Sequence, residues 1–308
     1  MRLGYFLPQM GPAAGPDALT AVATRAEELG YDSLWVTERT LVPLEPQVPY
    51  VASADGSLPD VYLTVLDPLT SLAYVAGQTN RIALGTSVLN LPWYNPVLLA
   101  RALTTLDVVS KGRLRVGFGM GWSPDEYEAA GSDWHHRGRR ANENLEALKA
   151  IWTSDPVAYE GSDFRVPPSH IGPKPVQSPH PPIYMAAYTE AALARVARFA
   201  DGWMPVGVPI QGMTAMLDGI RQMAEGHGRD PEAIELIVRA NLHVTEEPLG
   251  DDRFIFTGTL DQIQADVAAS RAAGADEITF DLSFDPATTT PEQFLEGLEL
   301  YKEVGQAA

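Results

Sequence analysis

Cysteine is absent from the 308-residue chain. That excludes a disulfide-stapled fold, a thiolate nucleophile and any cysteine-ligated zinc or iron–sulfur site. Long apolar runs are absent too: nowhere do about 18 hydrophobic residues follow one another, so no membrane span is expected. The opening MRLGYFLPQMG is apolar, but Pro8, Gln9 and Gly11 interrupt it and no small-residue cleavage site follows. A first strand ending in a turn is expected there rather than a secretion signal, and with it a cytoplasmic location. Basic residues are scarce: 22 Lys and Arg against 40 Asp and Glu leave a formal net charge of -18. Such a surface repels nucleic acid and anionic lipid, so neither is an expected partner. An anionic ligand would need the few basic residues gathered around it. There is no H-E-x-x-H zinc signature and no Ser-His-Asp order, and the adjacent His135 and His136 point in two directions, so no metal site is expected.

What the sequence does have is alternation. Apolar strand patterns fall at residues 3–7, 33–36, 82–89, 114–118, 183–186, 202–206, 235–244 and 277–282. Helical patterns occupy 17–29, with Asp17 as N-cap, then 68–79, 95–109, 125–130, 140–152, 189–199, 213–226, 260–273 and 291–304. Eight strands alternating with helices imply parallel βαβ units. A doubly wound sheet would carry a Gly-rich turn after strand one, and Pro8-Gln9-Met10-Gly11-Pro12 is not such a turn. Residues 26–36 and 270–280 echo each other as helix end, glycine and strand, the repeating unit of a (β/α)8 TIM barrel. One domain over 1–308 is expected, with a long loop at 40–67 and a Pro-rich stretch at 157–182 holding a short hairpin (158–160 with 164–166) and a lid.

In such a barrel, ligand contacts come from the C-terminal strand ends. Those ends offer Leu7, Thr37-Glu38-Arg39, Ser87-Val88, Gly119-Met120-Gly121-Trp122, Ala186-Ala187-Tyr188-Thr189, His243 and Asp281. Strong acids and bases are few; glycine, small residues and aromatics dominate. The row Gly117, Gly119, Gly121 lets backbone approach a flat ligand or simply packs closely. Ala187-Tyr188-Thr189 opens a helix that holds a phosphate or is merely capped by Thr189. The set suits a planar phosphorylated cofactor that brings its own chemistry.

These same segments carry a resemblance. D-S-L-W-V-T-E-R (32–39), L-G-T-S-V-L-N-L-P-W-Y-N-P (84–96) and G-R-L-R-V-G-F-G-M-G-W-S-P-D-E-Y (112–127), extended by residues 173–184 and 200–203, resemble the bacterial luciferase-like oxidoreductases, and most of all their F420-dependent branch. The resemblance implies a cis peptide at Ser87–Val88, a cofactor lined by Leu7, Glu38, Met120, Gly121 and Trp122, and a phosphate near Ala186, Ala187, Tyr188 and Thr189. It implies hydride transfer between reduced F420 and a small organic substrate. The alternatives of the same fold are an FMN-dependent two-component monooxygenase, fed by a separate reductase, and a barrel that binds flavin without catalysis. A homodimer is also implied. Some F420 dehydrogenases place a catalytic histidine where this chain has Arg39, so that role does not transfer.

Competing roles stand beside several residues. Glu38 orients the cofactor or moves a proton, or else pairs with Arg39 or Arg239. In 235–244, Arg239, Asn241 and His243 alternate with apolar residues and are expected to face the barrel interior. His243 then reaches the substrate or is a hydrogen-bonded barrel histidine. Arg137, Arg139 and Arg140 meet an acidic cofactor tail or bridge to Glu143 and Glu146. Trp93, Tyr94 and Trp122 are expected to wall the pocket.

Overall fold

The computed structural model describes residues 1–51, 53 and 55–307. Ala52 and Ala54 of the expected loop, and Ala308 at the end of the expected domain, lie outside the described residues.

Eight parallel strands close on themselves: β1 (Arg2–Phe6), β2 (Ser33–Val36), β3 (Ala83–Thr86, continued by Leu89–Asn90), β4 (Leu114–Gly119), β5 (Ile183–Met185), β6 (Gly202–Trp203), β7 (Glu235–Asn241) and β8 (Glu277–Asp281). Register runs from Gly4 beside Ser33, through Ser33 beside Ala83 and Leu84 beside Leu114, to Ile237 beside Glu277; Arg2 beside Glu277 closes the ring. Around it lie α1 (Pro16–Glu28), α2 (Pro68–Ala76), α3 (Pro96–Val109), α4 (Pro124–Ala129), α5 (Arg137–Thr153), α6 (Glu190–Phe199), α7 (Ile210–Gly226), α8 (Leu260–Ala272) and α9 (Pro291–Ala307). Each strand buries one row of side chains under these helices, among them Leu3, Leu34, Leu84, Val116, Ile183, Leu236 and Ile278. The other row fills the barrel with Phe6, Trp35, Tyr184, Met204 and Ile237. This is the (β/α)8 barrel that the alternation predicts.

Below that aromatic layer, toward the N-terminal strand ends, charged groups seal the interior. Glu277, fully buried, accepts from Arg2 Nε at 2.9 Å, from Arg115 Nη1 at 2.5 Å and from Ser33. Glu235 accepts from Arg2 Nη2 at 2.8 Å and the Tyr184 hydroxyl at 2.7 Å. These pairs close the barrel interior at its N-terminal end.

Helix starts are set by local chemistry: Asp67, Asn95, Ser123 and Thr189 each accept from a first-turn N–H, and Thr259 forms a capping box with Gln262. Asp17 is not such a cap. Pro16 takes the first helical position, where its missing N–H is no loss, so Gly15 is the N-cap and Asp17 sits inside the first turn. Several expected strands are shorter than the periodicity implies; 202–206, for example, is a strand only at Gly202–Trp203. Residues 82–89 break after Thr86, and 235–244 ends as a barrel strand at Asn241; His243–Val244 pairs instead with Thr257–Gly258 in a separate ladder. The hairpin in 157–182 forms between Val157–Glu160 and Arg165–Ser169. The 40–67 segment folds across the mouth with a 3-10 turn at Asp60–Leu63, anchored where Gln9 Nε2 donates to the Thr37 and Leu66 carbonyls.

Candidate active site

The floor of the mouth is built around one carbonyl. The Ser87–Val88 peptide is cis, as the resemblance implied. Its Ser87 oxygen accepts from Arg239 Nη1 at 2.7 Å and from the Thr37 hydroxyl at 3.0 Å. Arg239 lies 4.4 Å above the Phe6 ring and donates Nη2 to Asp281 at 2.6 Å and Nε to Asn241 at 3.0 Å. Side chains from β7 and β8, with Thr37 just past β2, thus converge on the bend in β3. The glycine row serves this bend by close packing. A Cβ on Gly117 would stand 2.0 Å from the Thr86 carbonyl oxygen, and one on Gly119 would stand 2.4 Å from Val88 Cγ2.

Glu38 stands beside this floor, just past β2. The Asn90 N–H donates to its Oε2 at 2.6 Å and the Tyr94 hydroxyl donates to its Oε1. Burial pushes the carboxyl up to about 7, and the charges of Glu126 and Asp67 act in the same direction, while the two hydrogen bonds pull it down. Burial beside Glu38 raises Tyr94 as well, so its phenol keeps its proton. Glu38 pairs with neither arginine considered for it, because each is engaged elsewhere: Arg39 with Glu126, Arg239 with Asp281.

Arg39 forms the roof. Its Nη1 donates to Glu126 Oε2 at 2.6 Å, and the side chains of the pair are only 5% and 2% exposed. Its guanidinium lies between the rings of Tyr62 (4.6 Å) and Trp122 (4.8 Å), so the 40–67 segment is pinned to the loop after β4. Tyr50 against Trp122 and Tyr62 against Phe284 extend this aromatic cover across the opening. A histidine-like base at position 39 is thereby replaced by a fixed cation.

The remaining site residues fall at the same end. Leu7 is buried at the end of β1. Gly121 adopts φ +65° between Asn90, Trp93 and Tyr127, a conformation that suits glycine. Met120 accepts from the Tyr127 hydroxyl on its carbonyl. Ala186 N donates to Phe118, and Ala187 accepts from Trp203 Nε1 at 2.9 Å. Thr189 is the N-cap of α6, its hydroxyl accepting from Ala192 N–H. Tyr188 is 49% exposed, and its hydroxyl accepts from the Val206 N–H at 3.2 Å. His243 is exposed in the outlying ladder and does not share the interior row with Arg239 and Asn241.

A flat cofactor fits the polar atoms left over. Six buried side-chain atoms lack a hydrogen-bond partner among the described residues, and three of them, Arg39 Nε, Trp93 Nε1 and Ser283 Oγ, lie at this end. Buried polar atoms seldom stay unpaired, and each of these residues lies two or three positions beyond a barrel strand. Such donors suit a planar ring with carbonyl acceptors. Tyr50, Tyr62, Phe284 and Arg195 were not singled out by sequence. The available signal for Arg195 was a basic residue on the apolar stripe of α6, in line with Ala192 and Phe199. The described residues contain no group of metal-binding side chains.

Comparison with known proteins gives the ancestry of this geometry. The chain is 38% identical over 245 residues to an uncharacterized protein of Mycobacterium tuberculosis, covering 75% of this chain and 86% of that one. It is 34% identical over 153 residues to the FMNH2-dependent dimethylsulfone monooxygenase of Pseudomonas putida, covering 49% of this chain and 42% of the relative. Against the F420-dependent glucose-6-phosphate dehydrogenase of Amycolatopsis mediterranei it is 31% identical, covering 62% of this chain and 53% of that one. The monooxygenase RslO1 of Streptomyces bottropensis shares the fold with TM-score 0.79 at 24% identity, covering 100% and 99% of the two chains. The family profile described as luciferase-like monooxygenase matches residues 1–250, and the chain belongs to that family.

Proposed function

We propose that this chain is an F420-dependent oxidoreductase that transfers hydride between the reduced deazaflavin and a small organic substrate bearing a C=C, C=N or C=O bond. The observation that carries it is the placement of Glu38: a buried carboxyl at the barrel mouth, its two oxygens held by the Asn90 N–H and the Tyr94 hydroxyl, with burial raising its proton affinity. Leu7, Glu38, Ser87, Val88, Met120, Gly121 and Trp122 would hold the ring, with Ala186, Ala187, Tyr188 and Thr189 toward its phosphate. The cofactor supplies the hydride. The residues supply orientation, a cover that excludes water and, from Glu38 Oε, the proton that completes reduction. The Tyr94 hydroxyl and Asn90 N–H keep that carboxyl in place. His243, the other residue weighed for catalysis, lies exposed beyond β7 and would reach substrate only from the rim.

The relative that works with FMNH2 supports a second reading, an FMN-dependent monooxygenase with a separate reductase. Anaerobic titration with F420 and with FMN separates the two. Tighter F420 binding is expected; tighter FMN binding with productive oxygen consumption overturns the F420 reading. We further propose a single domain over 1–308, a cytoplasmic location and a homodimer. No described helix is long and apolar enough to cross a membrane. The dimer draws on the exposed apolar residues Tyr74 of α2 and Leu98, Val108 and Val109 of α3, two helices that pack side by side.

A further inference from the structure

The mouth has a floor at Ser87–Val88, where a cofactor ring would rest under the proposed function, and a roof at Arg39. Four aromatic side chains line the way between them. Trp122 lies 5.2 Å from Tyr50, Tyr50 lies 6.2 Å from Tyr62, and Tyr62 lies 5.7 Å from Phe284, all between ring centroids. Phe284 ends the run 5.7 Å from the Arg239 guanidinium that holds the Ser87 carbonyl. Each of the four residues is only half-buried. Contiguous apolar surface left open in this way marks a place where apolar surface docks, and aromatic rings are best covered by a flat molecule.

Arg39 is the polar group within this lining. Its side chain is 5% exposed, and the rings of Tyr62 and Trp122 hold the guanidinium at 4.6 and 4.8 Å. Nη1 is engaged by Glu126 at 2.6 Å, but Nε is buried with no acceptor among the described residues. An unmade hydrogen bond from a charged group in an enclosed site is costly, so the missing acceptor is one that a ligand brings. Because it is met at the roof, with the ring lining between it and the floor, it belongs to the substrate rather than to the cofactor. Charge narrows the class. Arg39 is matched by Glu126 and Arg239 by Asp281, each at 2.6 Å. These pairs leave no net positive charge to hold a carboxylate or phosphate, and Glu38, once ionised, would repel one.

We propose that Arg39 and this ring lining bind an uncharged, flat, conjugated carbonyl compound, its oxygen accepting from Arg39 Nε and its plane against Tyr62, Trp122 and Phe284. Such a compound is the substrate class of the proposed function, and its turnover, unlike its binding, rests on that reading. The test is calorimetric titration of the full-length protein with chromone, with chroman (the same bicycle without the carbonyl), with chromone-2-carboxylate and with glucose 6-phosphate. Chromone is expected to bind about tenfold more tightly than chroman, the gain of one hydrogen bond from a charged donor, and both anions more weakly than chromone. Arg39→Lys keeps a cation for Glu126 but has no Nε; provided it melts cooperatively, it should close the gap by weakening chromone alone. Phe284→Leu should weaken chromone and chroman alike, severalfold, and keep the gap. Equal binding of chromone and chroman, tighter binding of either anion, a gap that survives in Arg39→Lys, or unchanged affinities in Phe284→Leu would each overturn the proposal. An F420 titration of the same protein separates the two readings. Binding of F420 without a preference for chromone leaves the cofactor standing and removes the substrate class; a preference for chromone without binding of F420 or FMN does the reverse.

Discussion

Replacing Glu38 by glutamine should remove one pH-dependent contribution to stability. The folded carboxyl is pushed up to about 7, whereas an unfolded glutamate titrates near its ordinary value of about 4.3. Folding therefore raises this pKa, and the folded chain binds the proton more tightly. The sign follows: the contribution is fully present below about pH 4, declines as pH rises through the interval, and is lost above about 7. Each tenfold gain in proton affinity on folding corresponds to about 1.4 kcal/mol, so the wild type should lose about 3–4 kcal/mol from this group across that window. Glutamine preserves an oxygen for the Asn90 N–H and a polar contact for Tyr94 but cannot ionise. Urea unfolding of both proteins at several pH values between 4 and 8, taken as variant minus wild type, cancels the other carboxylates. The difference should grow in favour of the variant as pH rises and level off above 7. Hydride transfer in the wild type should decline over the same range if Glu38 gives up the proton, with no such limb in the variant. Parallel stability curves for the two proteins would refute the burial argument outright.

Arg39→Met leaves Glu126 buried without its counter-ion; a loss of about 3–5 kcal/mol in urea unfolding is expected, and a change under about 1 kcal/mol would mean the pair holds nothing together. Gly117→Ala forces a Cβ to 2.0 Å from the Thr86 carbonyl, so folded soluble protein should be lost on expression; a normally folded variant with unchanged melting would show that β3 and β4 have room to separate. Val109→Lys with Leu98→Lys should turn the dimer into a monomer by sedimentation velocity; a dimer that persists removes the α3 face as the interface, and a monomeric wild type removes the dimer.

The parts of this structure visible in the sequence are those set by local pattern. The alternation of apolar and polar residues along 114–118 and 277–282, the Thr189 N-cap and the helix starts at Pro68 and Pro291 depend on neighbours a few positions away. Arg239 and Asn241 were placed in the barrel interior by a period of two, and the bonds of Arg239 to Ser87, Asp281 and Asn241 show both there. The period failed one step further on, at His243, because a strand ends where its partner ends: Asn241 is the last residue beside β8, and the chain turns to meet Thr257. Partner choice was less legible still. Arg39 finds Glu126 across 87 residues of sequence, and nothing in either local pattern singles out that carboxylate from Glu38 next door. Likewise Arg137 and Arg140 have acids at helical spacing along α5, yet Glu143 and Glu146 turn to Arg139 and Arg198.

The two ends of the barrel differ in how far their polar groups are already committed. A cleft of about 700 Å³ opens at the N-terminal end, bordered by Arg113, Arg115, Tyr184, Asp201, Glu235 and Asp276. Its polar groups are already engaged with one another. Arg113 donates to the carbonyls of Ala76, Thr79, Ile82 and Ser110, Arg115 to Glu277, Tyr184 to Glu235, and the Asp201 and Asp276 carboxylates accept from Ile183 and Leu236 N–H groups. A ligand entering there would have to break bonds before making any. At the mouth the balance is reversed: Arg39 Nε, Trp93 Nε1 and Ser283 Oγ wait without acceptors, and Glu38 holds a proton near neutrality. Binding free energy comes from bonds gained over bonds lost, so the mouth, not the N-terminal cleft, is the end where a ligand gains most.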